Sequence, residues 1–151
     1  MHSILIVEDD ISIQELLHDF IIEAGYQAEI ASDGIDALTK FSKQPFDLVL
    51  LDIMLPKING FRVCEVIRQT SDVPIIILTA LDSEAEQIRG LDLKADDYIT
   101  KPFSMSVLIR KIAAVLRLSL IHILRLSRLI LRLSIFSIAS DIGRKSSSDR
   151  V

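Results

Sequence analysis

The chain has 151 residues, half of them hydrophobic and a quarter charged, a globular composition that excludes general disorder. A net charge of -4 argues against a wholly basic nucleic-acid binder, and a single cysteine, Cys64, excludes an internal disulfide. Residues 1–7 run straight into acids with no basic start or long apolar stretch, so no secretory signal is expected and the cytoplasm is the default compartment.

The charge is unevenly spread. Met1 to Arg117 carry 11 basic and 19 acidic residues, whereas Leu118 to Val151 carry 6 basic and 2 acidic. Beyond Leu118 the composition also collapses onto Leu, Ile, Ser and Arg. Two parts are expected, a body over 1–117 and a low-complexity tail over 118–151.

The body alternates strand and helix. Ser3 to Val7 is an apolar run that ends in acids and reads as a buried strand. Ile13, Leu16, Leu17, Phe20, Ile21 and Ala24 then recur at helical spacing, with Gly25 as the expected cap. Gln27 to Ala31 is a weaker strand, Asp33-Gly34 a turn signal, and Ile35, Leu38 and Phe41 mark a second helix ending near Pro45. Asp47 to Asp52 is apolar throughout, as a central strand covered on both faces should be. Pro56 and Asn59-Gly60 break the chain before a third helix with Val63, Val66 and Ile67. Pro74 to Leu78 is a fourth strand, and Ser83 with Glu86 has capping-box spacing before a fourth helix with Ile88 and Leu91. Asp97 to Ile99 is a short fifth strand. Ser104 can cap a last helix whose inner face carries Leu108, Ile109, Ile112, Val115 and Leu116. Alternating strands and helices predict an α/β fold, a parallel sheet with helices on both faces.

In such sheets ligands bind beyond the carboxyl ends of the strands. Strand 1 ends in Glu8-Asp9-Asp10, strand 3 in Asp52, strand 4 in Thr79, and strand 5 leads into Lys101-Pro102. A lone Asp at a strand end is usually a cap. Acids at two strand ends, with a Thr and a Lys-Pro at two others, form a joint signal. Two carboxylates about 4 Å apart repel by roughly 4 kcal/mol at an effective dielectric of 20, so the cluster calls for a cation or a raised pKa. Mg2+ suits hard oxygen donors and retains waters that a phosphate can replace. With Lys101 and the Thr79 hydroxyl, a carboxylate nucleophile could form and hold an aspartyl phosphate.

The stretches ILIVEDD, DLVLLDIMLPKINGF, PIIILTA and ADDYITKPF resemble the response-regulator receiver domain of two-component signalling, over residues 1–117. DIMLP and ADDYITKPF are most similar to its winged-helix transcription-factor branch. The resemblance implies a doubly wound five-stranded parallel sheet of order 2-1-3-4-5, an order for which the receiver is itself a standard example. By the same resemblance Asp52 is the phosphoacceptor, Asp9 the direct Mg2+ ligand, Glu8 a second acid acting through water, and Met54 a ligand through its backbone carbonyl. Thr79 and Tyr98 are then the switch residues, Lys101 binds the phosphate, and the peptide before Pro102 is cis. The partner implied is a histidine kinase, and the product a signalling switch with at most weak self-catalysed phosphotransfer. Asp10 is better read as an N-cap than as a ligand. Cys64 lies at helical spacing among buried neighbours with no partner ligand implied, His18 is expected to be solvated on the polar side of the first helix, and His122 in the tail has no companion ligands.

Two departures from the family stand out. Lys94 occupies a position where the family usually has Gly, at a cost of about 1 kcal/mol if the backbone is left-handed. Gln87 and Val107 replace a pair of opposite charges on the face made by the fourth helix, fifth strand and last helix, through which the branch dimerises. Asp96, Asp97, Arg89 and Lys111 still offer charges there, so a homodimer through this face is an expectation.

The tail resembles no DNA-binding domain. LRLS begins at Leu116, Leu124 and Leu131. The tail is expected to extend the last helix or to be a segment prone to aggregation, and one hypothesis for its origin is a frameshifted or spurious translation fused to a receiver. Arg125, Arg128 and Arg132 would each cost roughly 2.5–3.5 kcal/mol near a bilayer centre, so membrane contact by the tail is not expected. No DNA binding by this chain itself is expected, the body being a fragment of a DNA-binding regulator or a standalone receiver. A haloacid-dehalogenase-like phosphohydrolase is disfavoured, because Met54 stands where that class has a second Asp. A flavodoxin-like carrier is disfavoured by the acidic first loop, which would repel a phosphate.

Overall fold

The computed structural model describes residues 1–80, 88–89, 92–118 and 131. The described elements run β1 (Ser3–Val7), α1 (Ile11–Glu23), β2 (Gln27–Ala31), α2 (Gly34–Lys43), β3 (Leu48–Asp52), α3 (Gly60–Arg68), β4 (Ile75–Thr79) and β5 (Asp97–Thr100). A C-terminal helix occupies 105–118. The chain divides into two compact units, Met1–Leu116 and Arg117–Val151. The capping box at Ser83, most of the fourth helix, Gln87 and nearly all of the tail lie outside the described residues.

The five strands form one parallel sheet of order β2-β1-β3-β4-β5. Side chains alternate across a strand, so each apolar strand feeds two cores. Leu5, Val7, Val49, Leu51, Ile75 and Ile77 face one side, with Phe61, Val63 and Ile67 of α3. Ile4, Ile6, Leu48, Leu50, Ile76 and Leu78 face the other, with Leu17 and Ile21 of α1 and Leu108 and Ile112 of the C-terminal helix. β3 and β4 are buried along their whole length, as the unbroken apolar runs require.

Three local expectations are corrected. The buried stripe of α1 is Gln14, Leu17 and Ile21, whereas Leu16 and Phe20 are 46% and 40% exposed. Five of the six apolar positions proposed for α1 fall at Ile13, Leu16, Leu17, Phe20 and Ile21, a band wider than the contact with the sheet. Asp33-Gly34 and Asn59-Gly60 are helix starts. The Asp33 carboxylate accepts from the Asp36 N–H at 2.8 Å, and the Asn59 side chain accepts from the Arg62 N–H at 3.1 Å. Both Asx side chains thereby satisfy amides that the first turn leaves without a partner. β5 runs one residue further than expected, to Thr100.

Candidate functional site

Register brings the predicted residues together. Val7 pairs with Leu51 across β1 and β3, so Glu8 and Asp52 follow side by side. Asp52 pairs with Leu78 and Thr79 with Thr100, which sets Thr79 and Lys101 along the same edge of the sheet. The carboxylate oxygens of Glu8, Asp9 and Asp52 lie within 4.8 Å of one another. Lys101 Nζ donates to Glu8 Oε2 at 2.9 Å and to Asp52 Oδ2 at 3.0 Å. Glu8, Asp52 and Thr79 are buried, while Asp9 is exposed at the mouth. The three acids form a hard oxygen donor set of the kind Mg2+ takes, and only one of them already faces solvent.

Electrostatics in the pocket follow from burial. Desolvation pushes Glu8 up to about 7; its bond to Lys101 opposes this, and the Asp52 carboxyl beside it reinforces it. Burial alone would pull Lys101 down, but its bonds to Glu8 and Asp52 outweigh that and hold it above its ordinary value. A shared ammonium is therefore what lets two buried carboxylates sit side by side.

The remaining predicted residues take these places. The Met54 N–H donates to Asp52 Oδ1 at 3.1 Å, fixing the carboxylate's orientation, while the Met54 side chain is exposed. The Lys101 N–H donates to the Thr79 carbonyl at 2.7 Å. The Lys101–Pro102 peptide is cis. Tyr98 is half-buried against the core under α3. Asp10 caps α1, accepting from the Ile13 N–H at 3.2 Å. His18 lies 3.6 Å from Asp19 at the surface, and Cys64 is buried, its thiol pushed up by desolvation.

Three contributors were missed. Gly60 opens α3 against the end of β3; a Cβ there would stand 2.1 Å from the Asp52 carbonyl oxygen and 2.7 Å from Ile53 Cα. Its only sequence signal was Asn-Gly, which suggests a turn. Lys57 adopts φ 68° and its Nζ lies 3.0 Å from Asp33 Oδ2, tying the loop after β3 to the cap of α2. Gln14 is buried on α1, at a position a polar residue ordinarily exposes to solvent.

A family model described as the response regulator receiver domain matches residues 4–113. The chain is 45% identical over 115 residues to YclJ of Bacillus subtilis, described as an uncharacterized transcriptional regulatory protein, covering 76% of this chain and 51% of that one. It is 51% identical over 115 residues to ycf27 of Guillardia theta, described as a probable transcriptional regulator, covering 76% of this chain and 45% of that one. The chain thus spans about half the length of the curated relatives it matches. A Francisella response regulator receiver domain superimposes with a TM-score of 0.76 at 32% identity, covering 79% of this chain and 99% of that one. The DrrB receiver domain, described as BeF3 activated, does so with a TM-score of 0.72 at 30% identity, covering 78% and 98%.

Proposed function

The chain belongs to the response regulator receiver family, and on that footing we propose that it is a phosphorylation-driven switch whose Asp52 accepts a phosphoryl group from a histidine kinase. The observation that carries this reading is the convergence of Glu8, Asp9 and Asp52 opposite Lys101. The Asp52 carboxylate attacks phosphorus. The P–N bond to the donor imidazole breaks as the P–O bond forms, and the imidazole keeps the electron pair. Lys101 already donates to Asp52 and pairs with the phosphoryl oxygens once they arrive. Asp9, Asp52 and the backbone carbonyl of Met54 would hold Mg2+, with Glu8 acting through water. The ion supplies neutralisation of charge on the transferring oxygens. Thr79 and Tyr98, on β4 and β5, carry the change outward.

The relatives' descriptions support a wider reading, in which this receiver over 1–117 serves a cytoplasmic transcription regulator. The segment 118–151 is then a low-complexity tail without DNA-binding capacity of its own. Homodimerisation through β5 and its flanking helices belongs to the same reading. The charges expected for that face are engaged within the chain: Asp97 with Lys111 at 3.1 Å, Asp96 with Arg68 at 3.1 Å, and Arg89 over the Phe61 ring at 4.4 Å. A dimer would therefore form by exchanging these partners or by apolar contact.

Beryllofluoride, which mimics a phosphoryl group on a carboxylate, tests the reading without chemistry. With Mg2+ it should shift amide resonances at Asp52, Thr79, Tyr98 and Lys101 together, and leave Asp52→Asn unmoved. Shifts that persist in Asp52→Asn would contradict the assignment.

A further inference from the structure

Among the described residues only four polar side chains are buried: Glu8, Asp52, Thr79 and Gln14. Three of them build the pocket, whereas Gln14 sits behind it on α1, at 8% exposure. Its Nε2 donates to the backbone carbonyl of Glu8 at 2.5 Å and to Ser32 Oγ at 3.2 Å. A carbonyl only accepts, so the amide nitrogen must be the end that faces Glu8. β1 ends at Val7, and the Glu8 peptide lies just beyond the ladder. Its N–H still reaches the Ala31 carbonyl at 3.1 Å, and its carbonyl is received by Gln14. A buried carbonyl left without a donor would cost free energy, so the turn settles where Gln14 can reach it. Glu8 Oε1 meanwhile accepts from the Asp10 N–H at 3.3 Å, so backbone and carboxylate of this turn are held from both sides.

We propose that Gln14 is a positioning residue for cation binding: by fixing the Glu8 peptide from behind, it aims the Glu8 and Asp9 carboxylates at the point they share with Asp52. This rests on reading those acids as the Mg2+ site. Gln14 touches neither the cation nor the phosphoryl group. It belongs to the outer layer of contacts that orient ligands, whose loss commonly costs metal affinity on the order of tenfold or more. Ser32, between β2 and α2, accepts from the same amide nitrogen through its second hydrogen and is the lesser partner.

The test is calorimetric titration of the full chain with Mg2+ and no phosphodonor, alongside thermal melting of each metal-free variant. The unaltered protein should bind, and Asp9→Asn should not. Gln14→Met keeps the length and packing but removes the donors, and should weaken Mg2+ binding on the order of tenfold. Ser32→Ala should weaken it a few fold. Leu17→Ala, on the same helix and fully buried, controls for general loosening; it should lower the melting temperature and leave affinity in place. Unchanged affinity in Gln14→Met would overturn the proposal, as would an equal loss in Leu17→Ala. Should Gln14→Met not fold, Ser32→Ala decides, and unchanged affinity there overturns it. No binding by the unaltered protein, or binding that survives Asp9→Asn, would overturn the cation site itself and the proposal with it.

Discussion

Glu8 is where burial and charge compete most directly. Its carboxyl is pushed from an ordinary 4.5 to about 7, chiefly by desolvation. The folded protein therefore holds this proton more tightly than the unfolded chain does. The associated stability is fully present below pH 4.5 and is lost as pH rises through about 7. The loss is at most roughly 1.4 kcal/mol per pH unit. Glu8→Gln should flatten this dependence, which urea denaturation across that window reads directly. Mg2+ affinity should weaken as pH falls below about 7, because the ion must then compete with the proton. Lys94 offers a second residue-scale outcome. It sits at φ 60°, where a Cβ is penalised, so Lys94→Gly should stabilise the protein by about 1 kcal/mol in the same denaturation experiment. The strain at Lys94 was foreseeable from the family pattern. That at Lys57 was not, since no sequence signal separates it from an ordinary loop lysine. Gln14 escaped for a related reason: composition places glutamine at the surface, and only the fold reveals a strand-end carbonyl in need of a donor.

Elements meet the site through their ends. Gly60 is the first residue of α3 and has no room for a Cβ against the Asp52 carbonyl. Gly60→Ala should cost about 2–3 kcal/mol and move Asp52, visible as a lowered urea midpoint and weaker Mg2+ binding. Arg68 closes α3 at the opposite pole. Its guanidinium donates to Val73 O at 2.6 Å, to Lys94 O at 2.9 and 3.1 Å, and to Asp96 Oδ2 at 3.1 Å, joining the starts of β4 and β5. A single ammonium cannot reproduce that fork, so Arg68→Lys should destabilise by about 2 kcal/mol while leaving the pocket's affinity for Mg2+ intact. The strands were readable because β3 and β4 are apolar on both faces. The starts of α2 and α3 were misread because Asx-Gly pairs favour turns and helix caps by the same side-chain hydrogen bond. The face of α1 was misread because Leu16 and Phe20 are apolar yet half exposed; Phe20 lines one shallow apolar groove with Met105 and Ile109, and Leu16 lines another with Phe103 and Met105.

At the scale of the molecule, one sheet does two jobs. Its alternating side chains anchor two cores, and its parallel register delivers Glu8, Asp52, Thr79 and Lys101 to a common edge. The pocket could be inferred before the fold because strand-end residues are separated in sequence by whole βα units, a spacing that sequence preserves. What could not be inferred was the support: the Gln14 bridge, the Lys57–Asp33 tie and the close approach at Gly60 each depend on residues of different elements meeting in space. Among the described residues no helix is long and apolar enough to cross a membrane. The most direct test of the switch is the intact mass of the chain after treatment with acetyl phosphate, with and without Mg2+, for the unaltered protein and Asp52→Ala. A gain of one phosphoryl group that requires both Mg2+ and Asp52 is the expected result. A gain that survives in Asp52→Ala, or no gain in folded protein with Mg2+ present, would contradict the assignment of Asp52 as phosphoacceptor.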